Sequence, residues 1–244
     1  MRKAGTELHS HSERFEGFPA EGFSFLRSLK KNNEREWFQP RKEKYQELLV
    51  RPLQLLTAEL GQALQEEAPG YAFDPKRSIF RIYRDTRFSG NQDPYKTHIA
   101  ASYSFRTAKK EAMEEPGFYF HLEPGSVFVG GGIYMPSSAQ LRLIRDSILS
   151  RPEAYLAVVQ SAAFRKRFGG IAGECLKRAP QGMDPEHPLI EHLRHKQFYV
   201  GVELDPDLAR SRKLIAQVVR DYRLALPLLS WLRDATAPLR FKAR

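Results

Sequence analysis

From Phe118 to Tyr134 the chain alternates. With Glu123 set opposite Ser126 across Pro124-Gly125, Phe118, Phe120, Leu122, Val127, Val129 and Ile133 fall on one face, and Tyr119, His121, Glu123, Phe128, Gly130, Gly132 and Tyr134 on the other. A period of two is that of a strand with one buried face. Pro-Gly suits the centre of a tight turn, so the segment predicts a β-hairpin. A slip of one residue would exchange the two faces, which makes the apolar set the guardian of the register. "HIAASYSF" extends the pattern upstream, with Ile99, Ala101, Tyr103 and Phe105 on one side and His98, Ser102 and Ser104 on the other.

Helical spacing flanks this block. Phe23, Leu26 and Leu29 share one face, and Tyr45, Leu48, Leu49, Leu53, Leu56, Leu60 and Leu64 another. Pro40 and Pro52 lack the amide hydrogen and are expected to start or kink a helix. Asn33 and Glu36 have capping-box spacing, as do Ser137 and Gln140. "RPEAYLAVVQ" and "SAAFRKRF" predict short helices ended at Gly169-Gly170, and "LIEHLRHKQFYVGVEL" runs from helix into a last strand. Asp205-Pro206 opens a long C-terminal helix whose stripe is Leu208, Ile215, Val218, Val219, Tyr222 and Leu226, with an interruption expected at Pro227. The predicted fold class is α+β: a central antiparallel sheet over residues 77–134 plus a strand near 198–204, flanked by N-terminal and C-terminal helices. The predicted organisation is a disordered leader (1–14), a single domain (15–235) and a basic tail (236–244).

Composition narrows the function classes. Hydrophobic residues make up 41 % of the 244 and charged residues 28 %, an ordinary globular balance. No apolar run approaches the length that crosses a bilayer, so no membrane partner is expected. The N-terminus has no apolar core of signal-peptide type. Cys175 is the one cysteine, which excludes an internal disulfide and makes a reducing cytoplasm the expected location. With no base near it in sequence, it reads as a small buried residue. Lys plus Arg number 39 against 29 Asp plus Glu, a net charge of +10 that favours nucleic acid, phosphorylated ligands or acidic surfaces as partners.

That excess concentrates in "FRIYRDTRFSGNQDPYKTH", residues 80–98. As a strand, its start places Phe80, Ile82 and Arg84 on one face and Arg81, Tyr83 and Asp85 on the other. Arg81, Arg84, Arg87 and Lys96 are the candidate anion-binding residues, because guanidinium forks make paired bonds to carboxylate or phosphate. The turn-rich "SGNQDP" lets Arg87, Asn91 and Lys96 fold back towards one spot. Asp85 would orient the arginines, with Tyr83, Tyr95 and Tyr119 as further orienting groups. His98 and His121 are the candidate acid–base residues, since imidazole titrates near neutral pH. The residues leave three readings open: a structural Arg–Asp network, an anion site, or a solvated charged surface. No P-loop or nucleophile elbow occurs. Gly130–Gly132 reads as a bulge or close packing. His187, Glu191 and His195 share a face if a helix begins by His187, but Pro188 and the lack of a further nearby ligand argue against zinc, so neither metal nor cofactor is expected.

Residues 81–98 resemble the signature of a sparsely distributed bacterial family of unknown function, of the form R-x-x-R-D-x-R-F, then Asp or Asn with a Lys, then P-Y. Arg81, Arg84, Asp85, Arg87, Phe88, Asn91, Pro94 and Tyr95 fit it, while Gln92 stands at the lysine place, so no role of that lysine carries over. "GFYFHLEPG", "GGGIYMP" and "LKRAPQGMDPEHP" are also similar to the family, extending the resemblance over most of residues 16–234. Some longer fungal proteins are similar over part of their length. The resemblance implies where the site lies and supplies no chemistry.

The functional expectation is therefore a protein that binds, and in one version acts on, a phosphorylated or otherwise anionic small molecule or nucleotide. Two alternatives stand beside it. One is a nucleic-acid-binding module with a cationic stripe of Arg210, Arg212, Lys213, Arg220 and Arg223 on the C-terminal helix. The other is a structural or partner-binding protein whose arginines brace the fold. The residues assign no reaction.

Overall fold

The structure, a computed structural model, describes residues 13–85, 90–106 and 114–241. Its N-terminal third is helical. Helix α1 (Ala20–Lys31) buries Phe25, Leu26 and Leu29 at helical spacing. Then α2 (Arg35–Phe38), a 3₁₀ turn (Gln39–Arg41), α3 (Lys42–Tyr45) and a π turn (Gln46–Val50) lead into α4 (Arg51–Ala63), which buries Leu53, Leu56 and Leu60. Pro40 lies in the 3₁₀ turn and Pro52 in the first turn of α4. Both avoid a helix interior, where proline removes a hydrogen bond and crowds the carbonyl four residues back.

Asn33 does not cap α2, contrary to its capping-box spacing. The cap position is Glu34, with no side-chain bond. Asn33 instead brackets a distant backbone: Tyr95 N donates to its Oδ1 at 3.0 Å, and its Nδ2 donates to Tyr95 O at 2.9 Å. Satisfying two backbone groups of a fully buried residue outweighs one exposed cap bond.

Four antiparallel strands follow in the spatial order of the chain: β1 (Ile99–Ser104), β2 (Gly117–Glu123), β3 (Ser126–Ile133) and β4 (Phe198–Leu204). Glu123 pairs with Ser126, as the alternation predicts. Phe118, Phe120, Leu122, Val127, Val129 and Ile133 are all fully buried on one face. Between β3 and β4 lie α5 (Ser138–Ser150), α6 (Pro152–Val159), α7 (Ala162–Phe168) and α8 (Ile190–Leu193). The Ser137–Gln140 capping box at the start of α5 is formed in both directions. After β4 and a 3₁₀ turn (Pro206–Arg210) comes the long α9 (Lys213–Ala235), then α10 (Ala237–Phe241).

The α9 helix packs on the apolar face. Its Tyr222 ring stacks on Phe118 at 4.6 Å, and the Tyr222 hydroxyl donates to Tyr119 O at 2.9 Å. Pro227 does not interrupt it, a correction to the sequence expectation. Leu228, Leu229 and Leu232 are fully buried, and this packing offsets a proline penalty of about 3 kcal/mol. The α7 helix is tied to α9 by Arg167, whose Nε and a terminal nitrogen donate to the buried Asp221 carboxylate at 2.5 and 2.8 Å. Among the described residues no helix is long and apolar enough to cross a membrane.

The arginine-rich segment flanks the sheet at β1. Ile79 bridges Ala101, Phe80 N donates to Ala100 O at 3.0 Å, and Ser102 N donates to Ser78 O at 2.9 Å. The segment then leaves β1 and pairs with its own continuation. Tyr83 bridges Tyr95, Arg84 N donates to Pro94 O at 2.9 Å, and Lys96 N donates to Ile82 O at 2.8 Å. The strand reading of the start of this segment is thus realised as isolated bridges on two sides, and the result is a small ribbon at the sheet edge.

Gly132 has φ +143°, and a Cβ there would overlap the backbone of Phe198 and Tyr199. Glycine lets β4 approach at this point. Gly132→Ala is expected to lower unfolding free energy by about 1–3 kcal/mol or more, measured by chemical denaturation; an unchanged midpoint would contradict this packing.

Candidate functional site

The second face of the sheet is assembled by parity. Ala100 pairs with His121, Ser102 with Tyr119, Tyr119 with Gly130, and Gly130 with Gly201. These residues therefore lie opposite the face that α9 covers. His98, just ahead of β1, sets its ring 4.4 Å from that of His121. Tyr119 Oη is 3.2 Å from His121 Nδ1, and His121 Nε2 is 3.8 Å from Glu123 Oε1. At the ribbon, Lys96 Nζ sits 5.3 Å above the centre of the Phe80 ring, which in turn lies 6.4 Å from the Tyr119 ring. Tyr119 thus joins the imidazole pair to the ribbon.

The electrostatics of this group are one-sided near the ribbon. Burial pushes His98 down to about 4, helped by His121, Lys96 and Arg84. Burial also lowers His121, against the opposing pull of Glu123 and Glu203. The Lys96 ammonium is lowered by burial first and then by repulsion from Arg81 and Arg84. Among the described residues no carboxylate lies within ion-pair distance of Arg81, Arg84 or Lys96. Burial raises the Tyr119 hydroxyl to about 12, so it is a proton donor at neutral pH.

The structure sorts the remaining sequence candidates. Tyr95 is fully buried, its ring 4.3 Å from Phe38 and its hydroxyl accepting from Gln39 Nε2 at 3.5 Å, so it anchors the ribbon in the helical layer. Tyr83 is 43 % exposed and covers Tyr95, ring to ring at 5.5 Å. Arg81 lines a cavity of about 290 Å³ with Lys42 and Lys76, beside the π turn. Asp85 is exposed at the end of the ribbon. Arg87 and Phe88 lie outside the described residues. Arg81, Arg84, Lys96, His98, His121 and Tyr119 are each within electrostatic or ring-contact range of at least one other candidate.

Beside this group is a recess of about 290 Å³ in the second face, walled by Tyr119, Phe128, Tyr134 and Tyr199 and floored by the backbone of Gly130–Gly132. Tyr134 and Tyr199 are 5.5 Å apart, and Phe128 folds over Gly201, where a Cβ would overlap its ring. The glycine run is explained by strand approach, in line with the bulge or close-packing reading: a Cβ on Gly130 would meet Val200 O. The alternation of β3 and β4 carried the signal for this recess, and only pairing Gly132 with Tyr199 shows that the rings converge.

Two further placements matter. Cys175 is exposed, contrary to the expectation of burial, and its Sγ lies 3.4 Å from His195 Nδ1. Leu176 N donates to Arg194 O and Lys196 N to Glu174 O, both at 2.8 Å; this local bridge turns the thiol outward. It also takes His195 out of the short helix α8, so the helical spacing with His187 and Glu191 is not realised. On α9, Arg212 pairs with Glu59 at 3.0 Å and Glu16 at 3.2 Å, and Arg223 with Glu67 at 2.6 Å. Among the described residues no group of three or more His, Cys, Asp or Glu is arranged to hold a metal ion.

Comparison with known families matches residues 21–231 to the family described as conserved hypothetical protein (DUF2461), in agreement with a resemblance to a family of unknown function. No curated protein matches the chain.

His98 gives the site a pH signature. Its folded value of about 4 lies below the ordinary 6.5. Between these values the unfolded chain binds the proton first, so stability falls as pH drops from about 6.5 to about 4 and is unaffected above that window. His98→Gln should flatten part of that acid-side decline in denaturation curves taken at several pH values; an unaltered slope would show that His98 is not held neutral.

Proposed function

The chain belongs to the conserved hypothetical protein family DUF2461, and we propose that it binds a phosphorylated or otherwise anionic small molecule where the ribbon meets the second face of the sheet. The observation that carries this reading is the cluster of Arg84, Lys96 and the His98–His121 pair. Burial and mutual repulsion already disfavour the Lys96 charge, and no described carboxylate lies within ion-pair distance of Arg84. A bound anion relieves both. Arg84 supplies a planar fork and Lys96 a point charge, the two complementary ways of holding phosphate or carboxylate. An anion there also reverses the local potential on His98 and raises its proton affinity. If the ligand is transformed, the neutral imidazoles and the Tyr119 hydroxyl linked to His121 are the groups able to accept or donate a proton.

The net charge of +10 suits nucleic acid as well. Arg212 and Arg223, two members of the stripe such a partner would use, are occupied by Glu16, Glu59 and Glu67. That favours the small ligand. Among the described residues no carboxylate lies within ion-pair distance of Arg84, which sets it apart from a bracing arginine such as Arg167.

Isothermal titration with inorganic phosphate, sugar phosphates and nucleotides tests the reading. Wild type should bind at least one of them, and Arg84→Ala should weaken it by about tenfold or more, the loss of a charge-assisted bond of roughly 1.5–3 kcal/mol, with little change in melting temperature. Binding by neither protein, or equal binding by both, refutes the assignment.

A further inference from the structure

We infer that the ligand carries a planar ring, seated in the glycine-floored recess, with its anionic group on Arg84 and Lys96: a nucleoside monophosphate or a similar ring-bearing phosphate. This rests on the anion-binding reading and adds the chemistry of the rest of the ligand. The recess and the ribbon meet at Tyr119, which walls the one and neighbours Phe80 of the other. Its ring lies 6.2 Å from Phe128 on one side and 6.4 Å from Phe80 on the other, and Phe80 carries the Lys96 ammonium. A molecule with a flat apolar part and one anionic group spans these two environments without burying either mismatched.

The shape of the recess selects the flat part. No side chain rises from Gly130 or Gly132, so the floor is bare backbone between the walls formed by Phe128, Tyr134 and Tyr199. Offset or edge-on contact with such walls favours a ring over a branched aliphatic group. Water in a space lined by rings finds few hydrogen-bond partners and is readily displaced. The volume of about 290 Å³ is just below the range of whole small-molecule sites, about 300–1,000 Å³, which suits a single ring system as the seated part. Tyr134 is 46 % exposed and is followed by Met135 at 58 %. A large aromatic side chain left in water beside a recess is explained if a bound ring covers it.

The test is titration calorimetry on the full chain with three ring-bearing phosphates, adenosine 5′-monophosphate, uridine 5′-monophosphate and phenyl phosphate, against ribose 5-phosphate and inorganic phosphate, with adenosine as the phosphate-free control. At least one ring-bearing probe should bind about tenfold or more tightly than its ring-free counterpart, as one ring stacked on aromatic side chains provides. Tyr134→Ala should remove that advantage and leave ribose 5-phosphate binding unchanged, while Tyr134→Phe should retain it. Tyr134 is half exposed, so both variants are expected to fold, and unchanged melting temperatures verify this. Equal affinity for ring-bearing and ring-free phosphates overturns the ring assignment and leaves the anion site standing. Binding of adenosine as tight as that of its monophosphate, unaffected by Arg84→Ala, overturns the anion site instead. Absence of binding by every probe overturns both.

Discussion

The interaction on which the rest depends is the burial of the apolar face of the β2–β3 hairpin beneath α9. Phe118 is held by the Tyr222 ring, and Tyr222 also bonds the carbonyl of Tyr119, one residue along the same strand. Apolar burial and a backbone hydrogen bond therefore fix the same register. Moving the strand by one residue would bury Tyr119 and His121 and expose Phe118 and Phe120, at a cost of several kilocalories for the aromatic rings alone. Because that slip is forbidden, every polar group of the hairpin is committed to the opposite face. The candidate site is the complement of the core.

Charge is distributed on the same principle. The protein carries +10, yet the cations differ in what they do. Arg167 is spent on the buried Asp221, and Arg212 and Arg223 pair with glutamates of the N-terminal segment and helices. Near the ribbon, burial lowers the proton affinity of His98, and the positive charges of Lys96 and Arg84 add to that effect. Glu123 and Glu203 bound that potential on the far side, through His121. The gradient runs from acid at the hairpin turn to base at the ribbon, with the two histidines between.

Much of this was legible in residue order where a single local period dominates. The hairpin register, the polar parity of Tyr119 and His121, the Ser137–Gln140 capping box and the glycine stop after Phe168 follow from spacing, and the structure contains each of them. Spacing failed where a distant partner outbid a local one. Asn33 has the position of a cap and serves Tyr95 instead, because a buried backbone needs its two bonds more. Pro227 has the chemistry of a break and sits inside α9, because the leucines around it are buried. Cys175 has the composition of a core residue and is turned out by a bridge to residues 194–196.

The amino-acid order by itself determined which side chains share a face, because alternation and helical period are properties of neighbours a few residues apart. It determined the α+β class and the concentration of guanidinium groups at residues 81–87 for the same reason. Which of those groups meet was decided by tertiary structure alone. The segment leaves β1 after Phe80, sending Arg84 towards His98 and Arg81 towards Lys42 and Lys76. The rings of Tyr134 and Tyr199, distant in sequence, converge only because β4 lies against β3 at glycines. Convergence depends on where strands and loops close in space, and no local period encodes that distance.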